Sequence, residues 1–176
     1  QMINYKKLHL IHKQLKASEG KILLISDVDI IFLKEIAEDI ISLMDEKDVL
    51  VADNGNGEYN VGFTAIKCSP KTISFWEQYV LPESEKLLNW TVVGDQPVIN
   101  HCLRNNELGI IHDALPPRYW VNRTPYDPDN GYGHTFNQCV EEVPNDAVLF
   151  HPVAIGGDTS ENKIKLFNAV LEKYNL

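Results

Sequence analysis

The sequence predicts an α/β fold, and three observations predict it. A run of helical period, Tyr5 to Ala17, is followed after Gly20 by an unbroken apolar run, Lys21 to Ser26. Helix and strand alternating across a short break is the signature of α/β layers. The 176 residues are 44% hydrophobic, with 10 Gly and 9 Pro, which is enough apolar material for one sizeable core and argues against disorder. No internal repeat and no linker divides the chain, so residues 1–176 read as one domain.

Each element has its own local reason. In the first helix Leu8, Ile11 and Leu15 fall on one face, and Gly20 is a natural terminator. The continuous apolar character of Lys21 to Ser26 predicts a central strand covered on both faces. Phe32 to Asp45 keeps helical spacing through Ile36, Ile40 and Leu43, and Val49 to Ala52 reads as a second strand. Tyr59 to Lys67 reads as a returning strand. Ser69-Pro70 then opens a helix with a capping hydroxyl and a first-turn proline. A less definite helical run follows from Leu81 to Trp90. Gly94-Asp95-Gln96-Pro97 opens another helix, with Asp95 as its expected cap. Leu108 to Ile111 is a candidate strand, and Arg118 to Glu142 is a long irregular excursion of the kind that often carries function. Val148 to Phe150 predicts a last short strand. Asp158 or Thr159 is expected to cap a final helix that buries Ile164, Phe167 and Val170.

Charge and cysteine usage narrow the function classes. A net charge of −9 and the lack of a basic block disfavour a bulk-electrostatic grip on nucleic acid. An anionic ligand would need local cations or a metal. Cys68, Cys102 and Cys139 are widely spaced, form no C-x-x-C pair, and fit a reducing compartment. With no membrane-length apolar run and no signal peptide visible, the expected location is cytoplasmic. A lumenal catalytic domain whose targeting segment is absent from the chain is the alternative.

The chemistry centres on "LLISDVDIIF", Leu23 to Phe32. Carboxylates inside an apolar run are costly unless something compensates them. Residues two apart on a strand share a face, so Asp27 and Asp29 would point together if the strand persists that far. A divalent cation turns their repulsion into attraction, and hard oxygen ligands suit Mn²⁺ or Mg²⁺. The alternative is a turn cap at Asp27 and an exposed Asp29. His151 follows an apolar strand, and its imidazole would favour Mn²⁺ if it joined such a site. Asn60-Val61-Gly62, Asp95-Gln96 and the glycine pair Gly156-Gly157 each also have an ordinary structural explanation as turn, cap or hinge. Lys163 and Lys165 read as solvent lysines, and His9 and His12 as structural.

Taken in order, four segments resemble the nucleotide-sugar glycosyltransferases of the GT-A fold. They are "ILLISDVDIIFL", "YNVGFTAIKCSPKTISFWE", "GDQPVIN" and "VLFHPVAIGGDTSENKIKLF". The resemblance implies a mixed sheet flanked by helices. It implies transfer of a sugar from a nucleotide-diphosphate donor, UDP being the commonest, to a hydroxyl of a carbohydrate or other acceptor. It implies that Asp29, Asp27 and His151 hold the metal and that Asp27 alternatively meets the ribose. Asn60 and Gly62 would line the sugar and acceptor pocket, and Asp95 and Gln96 would act at the sugar, with retention of configuration. Gly156, Gly157 and Lys163 would serve the diphosphate, and Lys6 or Lys7 would lie near the nucleotide. Tyr119, Trp120, Tyr126, Tyr132 and Phe136 would stack on the acceptor. Such enzymes usually have one or two strands before the D-x-D helix. This chain offers a helix alone, so either the nucleotide pocket is reduced or the N-terminal portion lies outside the chain. A metal-dependent phosphatase and a non-catalytic carbohydrate-binding module are the alternative functions.

Overall fold

The computed structural model describes residues 2–54, 57–87, 94–122, 126–127, 131–132, 136–152 and 160–176. Helix α1 (Met2–Ala17) leads into β1 (Ile22–Ser26), and β2 (Ile31–Phe32) precedes α2 (Ala37–Met44). Strands β3 (Val49–Asp53) and β4 (Tyr59–Lys67) follow, then α3 (Pro70–Phe75), a π-helical turn (Trp76–Val80) and α4 (Leu81–Leu87). Helix α5 (Asp95–Arg104) precedes β5 (His112–Ala114) and β6 (Tyr119–Asn122). The chain then runs through β7 (Tyr126–Asp127), β8 (Gly131–Tyr132), α6 (Phe136–Glu141), β9 (Leu149–Pro152) and α7 (Ser160–Tyr174).

The main sheet is mixed, in the order β1-β4-β3-β5. β4 runs antiparallel to both β1 and β3, whereas β5 is parallel to β3. A second sheet, β2-β9-β6, is also mixed, and β7 and β8 form an antiparallel pair. Alternation along β3 builds two cores at once. Val49 and Val51 pack with α1, α3 and α5, whereas Leu50 and Ala52 pack with α2 and the second sheet. A third core joins the far face of the second sheet to α6 and α7 through Phe150, Cys139, Leu166 and Val170.

Most elements form where the sequence places them. Ser69 caps α3 in a reciprocal box with Thr72, with Pro70 in the first turn. Glu35 supplies the start of α2, its Oε1 accepting from the backbone N–H groups of Ile36 and Ala37 at 3.0 Å each. All three cysteines are buried, and burial pushes the Cys102 thiol up to about 12.

Several expectations are corrected. The apolar strand β1 is an edge strand rather than a central one, and Leu24 on it is 41% exposed. Its apolar run reflects contacts of Leu23, Ile25 and Ile22 with the cores on the two sides of the sheet. Phe32 belongs to β2, not to a helix, because Ile31 and Phe32 pair with Phe150 and Leu149. The strand expected at Leu108 to Ile111 forms instead at His112–Ala114. Asp95 is the first residue of α5 and Gly94 is its cap. The buried face of α7 runs through Leu166 and Val170, and Ile164 is 57% exposed. The caps proposed at Asp158 or Thr159 lie outside the described residues.

Candidate active site

Strand β1 ends at Ser26, so Asp27 and Asp29 sit on the turn that leads to β2 rather than on a strand. The apex residue, Val28, is fully exposed. The turn is fixed at its first residue, because Asp27 N donates to Gly62 O at 2.7 Å. That carbonyl belongs to a bulge in β4. Val51 opposes Thr64 but Ala52 opposes Asn60, so Val61, Gly62 and Phe63 have no partner on β3. The bulge also turns Val61 toward the α1 side, whereas Phe63 stays on the α2 side. Inside it, Gly62 N donates to Asn60 Oδ1 at 3.0 Å, and Asn60 is buried.

His151 reaches the same place from β9. It is 5% exposed, and its Nε2 lies 3.4 Å from Asp29 Oδ1. One ligand atom each from Asp27, Asp29 and His151 falls within 4.8 Å of the others. Lys163, on α7, donates from Nζ to Asp29 Oδ2 at 3.0 Å, so it is not a free solvent lysine. Lys7, on α1, donates to Asp27 Oδ1 at 2.7 Å and makes an ion pair with Asp95 Oδ2 at 2.6 Å.

These side chains converge on one polar pocket of about 380 Å³. Asp27, Asp29, Asn60, Gly62, Asp95, Gln96, His151 and Lys163 all line it. It adjoins a larger groove of about 850 Å³ between α1 and β1, whose wall includes Lys6, Lys7, Leu10 and Leu24 and which shares Asp27, Asp29 and Lys163 with the pocket. Gly156 and Gly157 lie outside the described residues.

Electrostatics follow from burial and pairing. Burial would raise the Asp29 carboxyl, but the Lys163 hydrogen bond and the charges of His151 and Lys163 outweigh it and hold it below the usual range. Burial dominates at His151 and lowers its imidazole despite the neighbouring Asp29 and Asp27. At Lys7 burial works downward, yet bonds to Asp27 and Asp95 hold the ammonium above the ordinary lysine range. A neutral imidazole and two carboxylates form a donor set suited to Mn²⁺ and acceptable for Mg²⁺. In His151, Nε2 is the ring nitrogen that faces the carboxylates, and among the described residues the buried Nδ1 has no hydrogen-bond partner.

Sequence reasoning missed one positioning residue and undervalued another. Asn100 is buried on α5. It accepts from Tyr59 N at 2.8 Å, and its Nδ2 donates to Tyr59 O at 2.8 Å and Gln96 O at 3.0 Å. It thereby binds the start of β4 to the helix that carries Asp95 and Gln96. An asparagine one turn beyond Gln96 was the available signal. Lys7 is the other, because its bridge depends on tertiary contact. The aromatic acceptor platform is corrected in part. Tyr119 is 3% exposed, stacks on Phe63 and donates its hydroxyl to Asp39, so it is a core residue. Trp120 packs against the core beneath α6 and α7. The side chains of Tyr126, Tyr132 and Phe136 lie outside the described residues.

No helix of the described residues is long and apolar enough to cross a membrane. No curated protein matches the chain. Among solved structures, the glycosyltransferase GlyE of Streptococcus pneumoniae TIGR4 is similar over 94% of this chain and 43% of its own, at 15% identity and a TM-score of 0.60. Its apo-form is similar over 96% of this chain and 44% of its own, at 15% identity and a TM-score of 0.59. The chain thus spans less than half the length of these structures, and the likeness is one of fold. The nucleotide-diphospho-sugar transferase model matches residues 1–154, and the chain belongs to that family.

Proposed function

We propose that the chain carries the donor site of a metal-dependent glycosyltransferase that moves a sugar from a nucleotide diphosphate, a UDP-sugar in the first instance, to a hydroxyl acceptor with retention of configuration. The observation that carries this reading is the convergence of Asp27, Asp29 and His151 beside Asp95 and Gln96 in one pocket. Asp27, Asp29 and His151 would hold Mn²⁺ or Mg²⁺, which when bound supplies Lewis acidity to the departing diphosphate.

The side chains divide the remaining work. Lys163 stands at the metal end of the pocket and offers its ammonium to the diphosphate, with Gly156 and Gly157 proposed beside it. The groove between α1 and β1, with Lys6 on its wall, is proposed for the nucleoside. Asn60 and Gly62 shape the floor. Asp95 accepts from sugar hydroxyls, and Gln96 faces the reacting carbon. An inverting reaction needs a carboxylate free to take the acceptor's proton. Asp95 is held by Lys7 at 2.6 Å, which makes it a poor base and favours retention, where the leaving phosphate accepts that proton. The acceptor is proposed to lie along the 118–142 excursion.

Calorimetric titration of UDP and GDP, with and without Mn²⁺, tests the donor site. Metal-dependent binding of one nucleotide, lost in Asp29→Ala, is expected. Failure of both nucleotides to bind would refute it. Product anomeric configuration, read by NMR, tests retention.

A further inference from the structure

Lys7 stands where two parts of the pocket meet. Its stem lines the groove between α1 and β1, while the carboxylates it contacts line the polar pocket. Asp27 belongs to the turn after β1, and Asp95 to the first turn of α5. The Lys7 side chain is 25% exposed and that of Asp95 is 14% exposed. Asp95 Oδ2 is buried, and the Lys7 ammonium at 2.6 Å is what compensates it among the described residues. An uncompensated buried carboxylate is strongly unfavourable.

We propose that Lys7 is a positioning residue that ties Asp27 to Asp95 and keeps the pocket's own charge low, so that a divalent cation is held firmly only together with an anionic diphosphate. This rests on the reading of the pocket as a metal and donor site. Among the described residues, Asp27, Asp29 and Asp95 face two ammoniums, Lys7 and Lys163. These five side chains together leave one net negative charge, which attracts a dication weakly. Pocket and dication together are then net positive, and a diphosphate completes the balance. By linkage the cation and the diphosphate strengthen each other by the same factor. Without Lys7 the pocket is more negative. It holds the cation better alone and gains less from the diphosphate. A purely structural strut would behave otherwise, since its loss would weaken both.

The test titrates Mn²⁺ alone, then Mn²⁺ with UDP present, into the wild-type chain and into Lys7→Met, Lys7→Gln and Lys7→Arg. Folding is checked by circular dichroism. Both neutral variants are expected to bind Mn²⁺ alone more tightly, by about tenfold or more, because they lack the repulsion between the ammonium and a dication. The enhancement by UDP is expected to shrink by a similar factor, and Lys7→Arg is expected to behave like the wild type. Folded neutral variants that bind Mn²⁺ no better would overturn the proposal. Wild-type Mn²⁺ binding that is lost in Asp29→Ala would leave the metal reading standing in that case. If both neutral variants fail to fold, Lys7 is a strut and the proposal is wrong. If no variant and no wild-type sample binds Mn²⁺, the metal reading fails first and takes this one with it.

Discussion

A methyl group on Gly62 would lie 2.3 Å from Cε1 and 2.7 Å from Nδ1 of His151. The imidazole therefore fills the space that any side chain at position 62 would need. Both residues are fixed from elsewhere, Gly62 by its hydrogen bonds to Asp27 and Asn60 and His151 by its place on β9.

Gly62→Ala is accordingly expected to push the ring off Asp29. Overpacking of this kind costs about 1–3 kcal/mol of stability, and Mn²⁺ affinity is expected to fall by about tenfold or more. Urea unfolding and metal titration of the same sample check both. A stable variant with unchanged affinity would show that the ring moves aside freely.

His151 gives the fold a pH dependence of defined sign. Its imidazole is held below the ordinary 6.5, chiefly by burial. Between that lowered value and 6.5 the unfolded chain binds the extra proton. The contribution is complete above about pH 6.5 and is lost as pH falls through the folded value. Asp29, whose carboxyl is also held low, adds a loss in the same direction at more acidic pH. Urea midpoints measured between about pH 7.5 and about pH 5 should fall less steeply in His151→Gln than in the wild type. Parallel slopes would contradict this.

Asn100→Ala would leave the backbone N–H and C=O of Tyr59 without their side-chain partner. A loss of about 2 kcal/mol is expected. Binding of Mn²⁺ alone should persist, because Asp27, Asp29 and His151 lie off α5. Thermal melting and a metal titration separate the two effects.

Tyr119→Phe removes one hydrogen bond to Asp39 and leaves the Arg118 fork in place, at 2.6 and 3.1 Å. A cost of about 1 kcal/mol is expected, with no change in the acceptor's KM. A raised KM would restore Tyr119 to the acceptor side.

What could be read from sequence was what local chemistry dictates. Tyr59 to Lys67 forms a strand with those bounds, and Ser69-Pro70 opens a helix, because side-chain pattern and capping are local. The order of Asp27, Asn60, Asp95 and His151 along the chain was legible too, as was their association, once four weak motifs were read together. The place of β1 at the sheet edge was not legible. Ile22, Leu23 and Ile25 pack in the same way whether or not another strand lies alongside. On α7 the expected Phe167 and Val170 do pack inward and only Ile164 does not, since Ile164 and Leu166 both fit an amphipathic helix and the core beneath β9 selects Leu166. Lys7 was hardest, because its spacing from Asp27 and Asp95 follows no rule of helix or strand and is created by packing.

The bulge in β4 leaves Val61 and Gly62 outside both ladders, because β1 pairs only with Phe63 to Lys67 and the β3 register passes from Asn60 to Thr64. Amide exchange should therefore be graded along one strand, slow from Thr64 to Ile66 and faster at Val61 and Gly62. Opening confined to those two residues need not unfold the sheet. The pocket would then breathe independently of the scaffold, and a ligand could settle into it through motions smaller and faster than any global transition.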